Sequence, residues 1–204
     1  RELGAEEFSR LVDEDWQQTK NDPDLKLNLK ELESLQEDFA LPIKPINLDG
    51  FKDKVDFNYS IWKKNNVRNH KTPGFSIVNI SLTKLGSAPG DATSEQMRIL
   101  AKLADQYSSS EIRTTKRQTM VFPFVRKDQV FDLWKSLEEN DLASPHEGTL
   151  AQIVACPGRD YCDLAKAVSI PIATRVQERF NDMNKLLDIG DLKINISGCE
   201  NSCA

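Results

Sequence analysis

The chain has 204 residues, 39% of them hydrophobic and 29% charged, with a formal net charge of −5. Such values describe an ordinary globular chain, long enough for one large domain or one and a half smaller ones. The acidic balance argues against general nucleic-acid binding, no apolar run approaches the ~20 residues of a membrane span, and no repeat at solenoid period or low-complexity tract occurs.

Residues 4–20 read as a helix, with Phe8, Leu11, Val12 and Trp16 in an apolar stripe at three- and four-residue spacing. The segment from Asn21 to Asp24 stops it, because Pro23 disfavours helix at the residue before it. A second helix is expected near 28–39, with Leu29, Leu32, Leu35 and Phe39 on one side. Leu41 to Pro45, with two prolines, follows as a stiff, extended linker. Nothing in this first part points to chemistry, and a packing role is preferred.

Residues 50–74 hold Phe51, Val55, Phe57, Tyr59 and Trp62, then the basic series Lys63, Lys64, Arg68, His70 and Lys71. A charge run is usually a solvated face. Arg68 and Lys71 are nevertheless candidates for contact with an anionic ligand, whereas His70 reads as a structural or surface histidine. From Phe75 to Thr83 the pattern alternates, with Val78, Ile80 and Leu82 on one face of a strand.

Gly86, Pro89 and Gly90 mark a loop, and Thr93 with Gln96 forms a capping-box pattern ahead of Met97, Leu100, Ala101 and Ala104. Strands are expected at about Glu111–Thr114 and Gln118–Val125. Asp128 is the expected cap of the next helix, whose apolar face is Val130, Leu133, Trp134 and Leu137. Strand–helix–strand–strand–helix is most of a ferredoxin-like α+β unit.

A short apolar strand from Ala151 to Ala155 delivers Cys156. Residues 160–168 and 172–187 read as helices separated at Pro171, and Gly190 suits a C-cap. Leu192 to Ile196 is a second strand, and it delivers Cys199. Two strands ending at cysteine loops would bring the two cysteine pairs together at one edge of a sheet.

All four cysteines fall in the last fifty residues, as Cys156 and Cys162 (C-x5-C), a 36-residue gap, and Cys199 and Cys203 (C-x3-C). Four thiolates suit a tetrahedral sulfur site, which means zinc or an iron–sulfur cluster. Five intervening residues fit zinc poorly, because zinc knuckles close each pair at two to four. Two disulfides, or four unrelated thiols, are the alternatives. Arg1 begins no signal peptide, so a reducing, cytoplasmic setting is expected and disulfides are disfavoured.

The run from Ala155 through Cys156, Pro157, Gly158, Arg159, Asp160, Tyr161 and Cys162 to Ala165, followed by Ser197 to Cys203, resembles the sirohaem and 4Fe–4S signature of the nitrite/sulfite reductase family. With Ser169 to Ala173 included, it is most similar to the bacterial assimilatory sulfite reductase haemoproteins. The resemblance implies an oxidoreductase of sulfur assimilation that reduces sulfite or nitrite by six electrons. Its cofactors would be a 4Fe–4S cluster and sirohaem, and its electron donor ferredoxin or a flavoprotein reductase.

The resemblance further implies that Cys156, Cys162, Cys199 and Cys203 hold the cluster, that Cys203 also bridges to the sirohaem iron, and that Asn201 belongs to the cofactor site. Arg113, Thr115 and Gln118 match the family's R-x-T-x-x-Q strand, which makes Arg113, Lys116 and Arg117 candidate sirohaem-facing residues. Exposed edge-strand charges are the alternative for those cations; Arg159 and Lys166 are further candidates.

The family carries this half-domain twice and only one copy occurs here, directly before the cysteines. The first residue is Arg rather than Met, and the chain stops one residue after Cys203. The expectation is therefore the second half of a longer protein: 1–49 a helical segment and linker from a preceding domain, 50–145 the ferredoxin-like half-domain, and 146–204 an α/β sirohaem/4Fe–4S domain truncated at its C-terminus. A related sirohaem-type enzyme, such as a nitrite reductase or a cobalamin-pathway oxygenase, and a non-catalytic metal-binding domain are the competing readings.

Overall fold

The computed structural model describes residues 4–26, 28–83 and 86–204; Arg1 lies outside them. The chain divides into two compact units, Arg1–Pro42 and Ile43–Ala204.

In the first unit, helix α1 (Gly4–Thr19) carries Glu6 and Glu7 in its first turn, where carboxylates suit the positive end of the helix. Arg10 pairs with Glu7 and Glu14 along one face. A 3-10 turn at Pro23–Leu25, capped by the Asp22 side chain, ends the run. Helix α2 (Leu29–Asp38) opens on a capping box in which Asn28 Oδ1 accepts from Glu31 N at 2.9 Å and Glu31 accepts from Asn28 N at 3.1 Å. The apolar stripes lie where periodicity put them, yet Phe8, Trp16, Leu29 and Phe39 are all exposed.

The second unit is mixed helix and sheet. Helix α3 (Phe57–Asn66) is capped by Asp56, whose carboxylate accepts from Tyr59 N at 2.8 Å. Strands β1 (Val67–Asn69) and β2 (Phe75–Ser81) lead to helix α4 (Ser94–Tyr107), where Thr93 and Gln96 close the expected capping box. Strands β3 (Arg113–Thr114) and β4 (Thr119–Arg126) and helix α5 (Val130–Glu138) complete the α+β, ferredoxin-like half-domain. The antiparallel sheet runs β1-β2-β4-β3.

Alternate residues of β2 face one core with all three helices. Val78, Ile80, Tyr59, Trp62, Leu100, Leu133, Trp134 and Leu137 belong to one buried cluster. Pro123 would break a central strand, because it cannot donate to the ladder. It sits at an irregularity: β2 advances from Ser76 to Val78 while β4 runs from Val125 to Phe122. The extra residue flips the side-chain alternation, so Phe122 and Val125 both reach the core while Phe124 lies outside it, beneath Arg113 at 5.4 Å and His70 at 5.6 Å.

Strand β5 (Ile153–Ala155) pairs in parallel with β6 (Ile194–Ile196), joined by helices α6 (Ile170–Arg179) and α7 (Met183–Ile189). Parallel strands require such a long crossover.

Three sequence expectations fail here. Residues 160–168 are not a helix: after a 3-10 turn at Gly158–Asp160, the N–H groups of Lys166 and Ala167 both donate to Gly198 O, at 2.9 and 3.0 Å, instead of bonding within a helix. The segment 172–187 is two helices, broken where the Asp182 carboxylate caps α7 by accepting from Asn184 N at 3.0 Å, and Pro171 lies in the first turn of α6 rather than separating helices. Asp128 does not cap α5. It binds Arg126 in a two-point ion pair at 2.7 and 3.0 Å, and the guanidinium holds its carboxyl below the usual range.

Candidate metal centre

Both cysteine loops leave the C-terminal ends of the paired strands β5 and β6. Cys156 N donates to Ile196 O at 3.0 Å, continuing the ladder one step past the strands. The loops are then tied to each other through Gly198: its carbonyl accepts from Lys166 and Ala167, and its N–H donates to Cys156 Sγ at 3.1 Å. Lys166 also pairs with Glu200 across the two loops, although two exposed side chains gain little from such a bridge.

Cys156 is buried, Cys162 and Cys199 are half-buried, and Cys203 is exposed; all four are free thiols. The Ser169 hydroxyl lies 3.3 Å from Cys156 Sγ. Ser169, followed by the N–H groups of Gly198 and Gly158, holds this thiol below its ordinary range against the opposing effect of burial. Among the described residues, no three or more His, Cys, Asp or Glu side chains gather closely enough to hold a metal ion.

The cysteine strand is locked to the half-domain by two glutamines. Gln118 Nε2 donates to Ala155 O at 2.7 Å, and Ala155 N donates to Gln118 Oε1 at 3.0 Å. The side chain thus satisfies both backbone polar groups of the residue before Cys156. Gln118 itself stands at φ +56, with Gly90 so close that a Cβ there would lie 2.8 Å from Gln118 Cβ. The second glutamine, the buried Gln152, accepts from Ser81 Oγ at 2.6 Å and donates to Arg117 O at 3.3 Å.

Several of the candidate cations have protein partners of their own. Arg113 Nε bonds Glu111 at 2.5 Å. Arg117 lies 3.4 Å from Glu147, and both side chains are largely buried. Arg68 donates to the carbonyls of Lys64 and Val67, each at 3.1 Å. Lys116, Arg159, Lys71 and Asn201 are exposed.

Sequence reasoning passed over Ser169, Gln152 and the bonding of Gln118. For Ser169 the available signal was a serine at the head of a helix in a cysteine-bearing loop.

The arrangement defines a class: an α+β protein whose ferredoxin-like sheet is pinned to a short parallel strand pair that presents four cysteines on two interlocked loops. Residues 72–140 match the family model of the nitrite/sulfite reductase ferredoxin-like half domain, and that part of the chain belongs to this family. The chain is 30% identical over 137 residues to sulfite reductase (ferredoxin) 2 of Mycolicibacterium paratuberculosis, a match spanning 64% of this chain and 24% of that one. It is 27% identical over 139 residues to the chloroplastic ferredoxin–nitrite reductase of Spinacia oleracea, spanning 67% and 22%. The chain therefore covers about a quarter of the length of these relatives. The solved structure of Mycobacterium tuberculosis NirA shares the fold with a TM-score of 0.53 at 23% identity, over 88% of this chain and 33% of that one.

Proposed function

We propose that this chain is the cluster-binding half of a sulfite or nitrite reductase, with Cys156, Cys162, Cys199 and Cys203 as the ligands of a 4Fe–4S cluster and Cys203 as the bridge to a sirohaem. The observation that carries this reading is the placement of both cysteine loops at the ends of β5 and β6, knitted through Gly198 and clamped by Gln118 onto a nitrite/sulfite reductase half-domain. The donor chemistry fits. All four thiols are free, and the buried Cys156 sulfur already accepts the N–H of Gly198, the kind of contact that ligand sulfurs in such clusters make.

The bound cofactors would supply the electron relay and the reducing iron centre. The chain's own residues hold and orient: the thiolates bind iron, Gly198 and Ser169 fix Cys156, and Gln118 sets the strand that delivers it. Lys116, Arg113, Arg117 and Asn201 are assigned to the cofactor side of the site. Arg113 and Arg117 each engage a carboxylate, Glu111 and Glu147, through Nε, which leaves their terminal N–H groups to meet an anionic ligand.

The functional division follows the same reading, with residues 1–49 belonging to a preceding domain, 50–145 forming the half-domain and 146–204 the cofactor-binding part. A cytoplasmic location and an electron donor of the ferredoxin or flavoprotein type complete the proposal. Among the described residues, no helix is long and apolar enough to cross a membrane.

Anaerobic reconstitution with ferrous iron and sulfide, followed by analysis of iron and acid-labile sulfide, tests the reading. Four iron and four sulfide per chain are expected for this cluster type, and stoichiometric zinc without sulfide would overturn it.

A further inference from the structure

Ser169 stands at the head of α6, where a serine hydroxyl ordinarily accepts a hydrogen bond from the first helical turn. It makes no such bond. The side chain is instead fully buried and turned toward Cys156, with Oγ 3.3 Å from Sγ. The hydroxyl forgoes a stabilising N-cap bond, so the inward orientation is a specific feature of this fold rather than a default.

Two glycines make room for it. A Cβ on Gly158 would lie 2.8 Å from Ser169 N and 2.9 Å from its Oγ; one on Gly198 would lie 3.1 Å from that Oγ and 2.8 Å from Ala167 O. Gly158 also stands at φ +63, a conformation that side chains resist. Two glycines, one from each cysteine loop, thus enclose one hydroxyl against one sulfur.

A cysteine binds iron as the thiolate, with no proton to donate. In that state the contact has a single polarity, with the Ser169 O–H donating and Cys156 Sγ accepting. Hydrogen bonds to ligand sulfurs are among the determinants of cluster potential, because they stabilise the more negative, reduced form. We propose that Ser169 is a positioning residue for the cluster: its hydroxyl fixes the Cys156 thiolate and raises the reduction potential of the bound centre. This inference rests on the cluster reading above.

The test reconstitutes wild type, Ser169→Ala and Ser169→Thr anaerobically with ferrous iron and sulfide, then measures each midpoint by potentiometric titration followed by electron paramagnetic resonance. Ser169→Ala is expected to titrate at a more negative midpoint than wild type, and Ser169→Thr, which keeps the hydroxyl, at the wild-type midpoint. Loss of the cluster from Ser169→Ala alone supports the same role. An unchanged midpoint in Ser169→Ala, or the same shift or loss in both variants, overturns the assignment while the wild-type cluster stands. A wild-type chain that takes up no iron and sulfide overturns both this inference and the cluster reading.

Discussion

Gln118→Ala should loosen the strand that carries Cys156 while leaving the half-domain core intact. The substitution deletes two hydrogen bonds, of 2.7 and 3.0 Å, to the backbone of Ala155, a residue only 4% exposed. A buried polar group left without its partner costs about 1–3 kcal/mol. Two effects offset part of that loss. Alanine avoids the cost of up to about 1.5–2 kcal/mol for ordering a glutamine side chain, and a cavity of about 400 Å³ bordered by Gln118, Ala155, Pro157 and Tyr161 lets water reach the uncovered groups.

The strain of φ +56 is not relieved, because alanine also resists that region. The net loss is therefore about 2 kcal/mol, equivalent to about 30-fold in an opening equilibrium. Urea unfolding measures the global change, and hydrogen exchange at the Ala155 amide measures the local one. Gln118→Glu should be at least as damaging, since it retains the acceptor for Ala155 N–H but sets a carboxylate against Ala155 O. A Gln118→Ala stability within about 0.5 kcal/mol of wild type, with Ala155 exchange unchanged, would refute the clamp.

In the intact, cofactor-loaded enzyme, Cys203→Ser should abolish magnetic coupling between cluster and haem more completely than Cys156→Ser does; equal retention in electron paramagnetic resonance would remove the bridging assignment. Acid should destabilise the chain through its two histidines, both held below their ordinary range, chiefly by burial. Since the unfolded chain then binds protons more readily, stability is constant above the unfolded value of about 6.5 and falls below it, at up to about 1.4 kcal/mol per pH unit for the more deeply buried His146 and by less for the more exposed His70. His146→Gln should flatten that limb in urea titrations between pH 7.5 and 5.5. Leu133→Ala, at a fully buried site, should cost about 2–5 kcal/mol by urea unfolding, whereas Leu29→Ala, 77% exposed, should stay within about 0.5 kcal/mol. Residues 1–204 loaded with both cofactors and reduced methyl viologen should turn over sulfite and nitrite far more slowly than an intact reductase. Opposite charges gain only about 1 kcal/mol in bulk water, so an open half-site holds its anion weakly; comparable turnover in a sulfide and ammonia assay would refute that division.

The sequence by itself determined what is local or periodic. The alternation through Val78 and Ile80 specifies a strand, the Thr93–Gln96 pair starts a helix, and Val130, Leu133, Trp134 and Leu137 mark the buried face of another; each depends on neighbours within a turn or two. Cysteine spacing likewise identified the candidate ligands, because thiols of this number and pattern have few other uses.

Only the tertiary structure decided the rest. Residues 160–168 read as a helix from sequence, yet the N–H groups of Lys166 and Ala167 bond to Gly198 O, about thirty residues along the chain. Asp128 looks like a cap until Arg126 competes for it, and Arg113 and Arg117 look available until Glu111 and Glu147 are seen beside them. Patterns single out Ser169 and Gln118 but not their partners: the inward turn of Ser169 toward Cys156 and the grip of Gln118 on Ala155 depend on where the folded chain brings those partners. Propensity and period act over a few residues, whereas a hydrogen bond between loops is chosen only after the chain has closed on itself.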